Sequence, residues 1–140
     1  MLGHDTSMWT LDPQLDANTV LVKDLAVSRV LLNDDANYPW LILVPQRTGM
    51  VELIDLNEAD RAALWNEIEL ASRAVKTVTR CHKLNVAQLG NQVAQLHIHI
   101  IAREKSDAAW PNPVWGKAPR KPYETGARDA LIGQLRALMP

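Results

Sequence analysis

The sequence predicts an α+β fold, a mainly antiparallel five-stranded sheet with a long central helix and a C-terminal helix. Short aliphatic runs come first, at 19–22, 28–32 and 40–44. One long stretch with apolar residues three and four apart follows them, and two more strand-like runs come after it. Strands, then a helix, then strands again is the order of an α+β layer architecture and not of an alternating parallel sheet.

Residues 1–12 read as a loose or partly helical lead-in, ended by a turn at Asp12-Pro13. Thr19–Val22 and Ser28–Leu32 are β-branched or aliphatic and lie close together, as in two strands of a meander. Asn33–Pro39 is a loop, because Asn, Asp and Pro favour turn geometry. Trp40–Val44 is an unbroken apolar run closed by Pro45, which suits a strand buried on both faces. Asn57 to Arg80 is the clearest helix. Leu64, Ile68, Ala71, Val75 and Val78 form one stripe, Asn57 can cap it, and Glu58 and Asp60 begin it while Arg73, Lys76 and Arg80 end it, as the helix dipole favours. Lys83–Ala87 is a weaker strand, Leu89-Gly90-Asn91 a turn, and Gln95–Arg103 a strand. Residues 106–122 carry Pro111, Pro113, Pro119 and Pro122 with Trp110 and Trp115, and read as an extended clamp on the sheet or on a second subunit. Thr125–Leu138 closes the chain as a helix with Ala127, Ala130, Leu131, Leu135 and Leu138 inward.

Composition narrows the function. The chain has 140 residues, 47% hydrophobic and 22% charged, with a formal net charge of −1. That is enough chain for one domain with its own core. The near-zero charge argues against nucleic acid or a membrane surface as an electrostatic partner. With one cysteine, Cys81, no internal disulfide and no cysteine-based zinc site can form. No stretch is apolar for the ~20 residues a membrane span needs, and no export signal is visible, so the expected location is the cytoplasm.

The chemistry concentrates in Gln95-Leu-His97-Ile-His99-Ile-Ile-Ala-Arg103. Strand alternation puts Leu96, Ile98 and Ile100 on one face and Gln95, His97, His99 and Arg103 on the other. Two imidazoles ~7 Å apart follow from the ~3.3 Å rise per residue. A neutral imidazole is a nucleophile, and one carrying a proton donates to phosphate, both near pH 7. His-x-His could also hold zinc, with His4, His82 or a carboxylate as the third ligand a site needs. Arg103 reads as a rim charge, and Lys117, Arg120 and Lys121 as a solvated patch.

Gln95-Leu-His97-Ile-His99-Ile-Ile resembles the signature strand of the histidine triad (HIT) superfamily, His-φ-His-φ-His-φ-φ with φ hydrophobic. Gln95 stands in place of the first histidine, as in bacterial HIT-like proteins with a Gln-φ-His-φ-His strand. Leu84–Ala87, Gly90-Asn91-Gln92, Trp40–Pro45 and Trp110–Gly116 are similar to further segments of the family, so the resemblance spans about 18–116, with 117–140 as a C-terminal extension of a single HIT-like domain. It implies a HIT-like fold, a homodimer joined by extension of the sheet, and a purine nucleotide as substrate. His97 then matches the residue that attacks the α-phosphate of a nucleoside phosphoramidate or dinucleoside polyphosphate, forming a nucleotidyl-histidine. His99 matches the histidine that binds the phosphate oxygens. Asn85, Asn91 and Gln92 match amides that touch the phosphate, and Asn33 the residue that bonds the ribose. No cofactor is implied, beyond magnesium accompanying a polyphosphate. Glutamine cannot hold a proton charge, so Gln95 implies slower turnover or another leaving group. The competing readings are a nucleotide-binding protein without turnover, a metal-binding His-x-His module, and a structural domain.

Overall fold

A computed structural model describes residues 8–140. The elements in order are α1 (Pro13–Ala17), β1 (Thr19–Asp24), β2 (Ser28–Asn33), β3 (Trp40–Pro45), α2 (Glu58–Thr79), β4 (Lys83–Ala87), β5 (Ile98–Arg103) and α3 (Thr125–Ala137). The strands form one sheet in the order β1-β2-β3-β5-β4, antiparallel throughout. The α+β class and the element order thus stand as predicted. His4 lies outside the described residues.

One face of the sheet carries Val22, Val30, Leu32, Leu41, Leu43, Ile98, Ile100 and Ala102, packed under α2 and α3 in the larger core. The other carries Leu31, Trp40, Ile42, Val44 and Ile101, covered by α1 through Leu15 and by coil through Tyr38, Val93, Ala109 and Val114. Two cores explain why every residue of β3 is buried. The α2 stripe is Leu64, Ile68, Ala71, Ala74 and Val75, and the Asn57 side chain accepts from the Asp60 amide at its N-terminus. At the other end Arg80 adopts the left-handed conformation, φ 51°, that stops the helix.

Three local expectations need correction. Asp12-Pro13 opens a helix: the Asp12 side chain caps α1 by accepting from the Gln14 amide, and Pro13 takes the first position, where its missing N–H costs nothing. In α3 the buried residues are Ile132 and Leu135, with Met139 just beyond; Ala127, Ala130 and Leu138 are exposed. Ile132 faces inward in place of the alanines because a larger apolar side chain gains more from burial. The last strand begins at Ile98, not Gln95.

The 106–122 segment packs on the sheet through Ala109 and Val114, the first of the two placements expected for it, and is tied to the β2–β3 loop. Arg120 pairs with Asp34, the Tyr123 amide donates to Asp34, the Lys121 amide donates to Asp35, and Asn37 donates to the Pro119 carbonyl. Arg120 is therefore tied to the β2–β3 loop, not simply solvated.

Candidate active site

His97 and His99 line a cavity of about 460 Å³ with Leu89, Gly90, Asn91, Gln92, Val93, Trp115 and Gly116. That volume suits a small-molecule ligand. His99 sits within β5, opposite Ile42 of β3 and Ala87 of β4. His97 precedes the strand, in a segment anchored by the Leu96 amide on the Met50 carbonyl. Since the pleat does not hold both rings apart, their centroids come to 4.8 Å, closer than the spacing along an ideal strand. Gly90 shapes the turn that brings Asn91 and Gln92 to the pocket. Its φ is +78°, and a Cβ there would crowd Gln88 at 3.3 Å.

Among the described residues each of these imidazoles has one hydrogen-bond partner, and the two partners are opposite in kind. Nδ1 of His97 lies 2.7 Å from the Gln95 carbonyl oxygen. A carbonyl only accepts, so this nitrogen carries the proton and, in the neutral ring, Nε2 keeps its lone pair. Nδ1 of His99 lies 3.0 Å from Nε1 of Trp40. An indole N–H only donates, so this nitrogen is the acceptor and the proton of His99 sits on Nε2. Burial, with the neighbouring His97 second, lowers the pKa of His99 to about 3. His99 is therefore neutral near pH 7.

Trp40 reaches His99 by register. It pairs with Ile101, one diagonal from the Ile42–His99 pair, a distance a long aromatic side chain spans. Trp115 packs edge-on against both rings, 5.7 Å from Trp40 and 5.0 Å from His99. Trp115 thus both seals the pocket and belongs to the clamp.

The predicted site residues separate. The structure gathers His97, His99, Asn91 and Gln92. Gln95 does not share their face: its side chain accepts from the Asp12 amide and donates to the Thr10 carbonyl, tying down the segment before α1. Asn85 faces the same side of the sheet, but its Oδ1 accepts from Arg103. Asn33 ends β2, two strands from β5, and does not line the cavity.

Arg103 corrects the rim-charge expectation, being 1% exposed. Its guanidinium donates to both oxygens of Asp107, to Asn85 and to the Asn112 carbonyl, and lies over the rings of Tyr38 and Trp110. For Asp107, burial raises the pKa, but bonds from Arg103 and from the amides of Glu104, Ala109 and Trp110 outweigh it and bring it to about 2. This pair fixes the start of the clamp that delivers Trp115. Among the described residues no group of three or more His, Cys, Asp or Glu converges as a metal site would require.

The HIT domain family matches residues 13–106. A solved histidine triad protein from Bradyrhizobium japonicum is 48% identical with a TM-score of 0.93, covering 94% of this chain and 98% of its own. One from Sinorhizobium meliloti is 34% identical with a TM-score of 0.94, covering 96% and 100%. A third, from Marinobacter aquaeolei, is 37% identical with a TM-score of 0.91, covering 94% and 96%. No curated protein matches the chain. The chain belongs to the HIT domain family.

Proposed function

We propose that the protein is a nucleotide hydrolase or transferase of the HIT type, acting on the α-phosphate of a nucleoside phosphoramidate or dinucleoside polyphosphate. The observation that carries this reading is the opposed pair of imidazoles in one pocket. His97 offers a lone pair at Nε2 and His99 an N–H at Nε2. A nucleophile beside a fixed donor is what attack on a phosphorus needs.

In the proposed reaction the Nε2 lone pair of His97 forms an N–P bond as the bond from phosphorus to the leaving group breaks. A polyphosphate leaves with the electron pair as an anion; an amine leaves after taking a proton from solvent. His99 donates a hydrogen bond to a phosphate oxygen, and the Asn91 and Gln92 amides add further donors. Asn85 keeps its NH₂ group for the same purpose while Arg103 holds its oxygen. Asn33, on the same sheet face, would take the ribose hydroxyls, and Trp115 offers an aromatic wall for a purine. Water then attacks the nucleotidyl-histidine, the N–P bond breaks, a proton goes to solvent and free His97 returns. The site asks for no resident cofactor, and magnesium would arrive as the counterion of a polyphosphate.

Gln95 marks the bacterial Gln-φ-His-φ-His subgroup in this reading. Its contribution to His97 is the backbone carbonyl, which any residue supplies. We further propose a homodimer across the β4 edge of the sheet. Beside it Val86, Trp65, Leu53 and Ile54 are exposed, Trp65 by 64% and Ile54 by 82%. Three of them line an apolar groove of about 360 Å³ with Leu64 and Ile68. A free sheet edge beside exposed apolar side chains is a surface that favours pairing. No described helix is long and apolar enough to cross a membrane, and the one cysteine is buried and unpaired. The reading is of a cytoplasmic enzyme.

The test is turnover. Native protein is expected to release AMP from adenosine 5′-phosphoramidate or from a dinucleoside polyphosphate, and His97→Asn to release none. Binding without release of product would leave a nucleotide-binding protein; neither binding nor release would sink the proposal.

A further inference from the structure

Trp40 is buried, lies outside the polar set that the motif singles out, and among the described residues makes the one hydrogen bond that reaches the ring of His99. We propose that Trp40 is a positioning residue for His99: its indole N–H fixes both the orientation of the imidazole and the place of its proton, so that His99 presents Nε2–H to the pocket as a donor and does not act as an acid. The part played in turnover rests on the function proposed above; the tautomer does not.

The geometry supplies the argument. An isolated neutral imidazole can carry its proton on either nitrogen, and a ring that turns over puts carbons where its nitrogens were. Both freedoms would be harmful in a pocket where one nitrogen faces substrate. An indole N–H cannot accept, so the 3.0 Å contact excludes a proton on Nδ1 and with it the imidazolium, which would carry one on each nitrogen. The indole is itself held. It stands edge-on to Tyr38 at 6.3 Å and to Trp115 at 5.7 Å, and its backbone pairs with Ile101 of β5. The neighbours of His99 are His97 before it, Ile42 from β3, Ala87 from β4 and Trp115 from the clamp. Of these only His97 can titrate, and a charge there further disfavours a proton on His99. A phosphate that enters therefore meets a donor whose direction was set before it arrived, which is how a preorganised dipole lowers a barrier.

The test is nitrogen-15 NMR of the histidine rings in the intact protein, with Trp40→Phe as the variant. In the native protein His99 should show a protonated Nε2 and an unprotonated acceptor Nδ1, unchanged from pH 7.5 to 5. In Trp40→Phe, which keeps a ring but loses the N–H, the His99 pattern should move toward a mixture of tautomers. Its kcat on the better nucleotide substrate should fall about five- to tenfold, the worth of one ordinary hydrogen bond, with KM little changed. A native His99 protonated on Nδ1, or charged at pH 6, overturns the inference without any variant. So does a Trp40→Phe protein whose ring nitrogens are unmoved. If the native protein turns over no nucleotide while the NMR pattern is as expected, the functional reading fails and the positioning of His99 by Trp40 stands.

Discussion

Acidification should weaken the fold through His99 by an amount that follows from its surroundings. Burial and the adjacent His97 bring its pKa from 6.5 to about 3. Between those values the unfolded chain binds a proton at this position and the folded chain does not. Stability therefore rises with pH across that window and is lost as pH falls through it. Each pH unit below 6.5 is worth about 1.4 kcal/mol, so going from pH 7 to pH 5 should cost about 2 kcal/mol. Asp107 destabilises only further down, where the unfolded carboxylate begins to protonate near 3.8 while the folded one holds to about 2. The variant to compare is His99→Asn, which cannot titrate and keeps a carbonyl oxygen near the place of Nδ1 to accept from Trp40. Urea unfolding of both proteins, followed by tryptophan fluorescence at half-unit steps from pH 7.5 to 5, gives the two curves. Their difference removes the titrating groups distant from His99, because distant sites add. The native protein should lose about 2 kcal/mol relative to the variant. A gap that stays constant within about 0.5 kcal/mol would refute the reasoning, since His99 would then titrate alike folded and unfolded.

Arg103→Met should cost about 3–5 kcal/mol in urea unfolding, because Asp107 is left buried without its partner; Arg103→Met with Asp107→Asn should recover part of that loss. Trp65→Glu puts a charge on the apolar surface beside β4, and light scattering should report a dimer for the native protein and a monomer for the variant. A nucleotide bound at 100 times its dissociation constant should stabilise the native protein by about 2.7 kcal/mol, read as a rise in melting temperature.

Most of the architecture was legible because it rests on period and punctuation. The α2 stripe, its Asn57 cap and the unbroken apolar β3 are local signals, and each stands in the structure. What was not legible depended on partners distant in sequence. Gln95 continues the alternation of β5 perfectly, yet it leaves the strand because its side chain satisfies Thr10 and Asp12, 85 and 83 residues away. Arg103 sits where a rim charge would sit, and only the return of Asp107 and Asn112 over the sheet makes its burial tolerable. The same holds within the site. Alternation indicated that His97 and His99 belong together, whereas their opposite tautomers come from the Gln95 carbonyl and the Trp40 indole. Trp40 read as one more apolar residue of a strand, and no local pattern signals an indole N–H aimed across the sheet.

The central claim is that His97 is the nucleophile. Rapid quenching of the protein with adenosine 5′-phosphoramidate or a dinucleoside polyphosphate, followed by intact and peptide mass spectrometry, tests it most directly. The account predicts an AMP adduct on His97, absent from His97→Asn and built up when the water step is slowed. Turnover that leaves no adduct in the native protein, or that survives in His97→Asn, would contradict it.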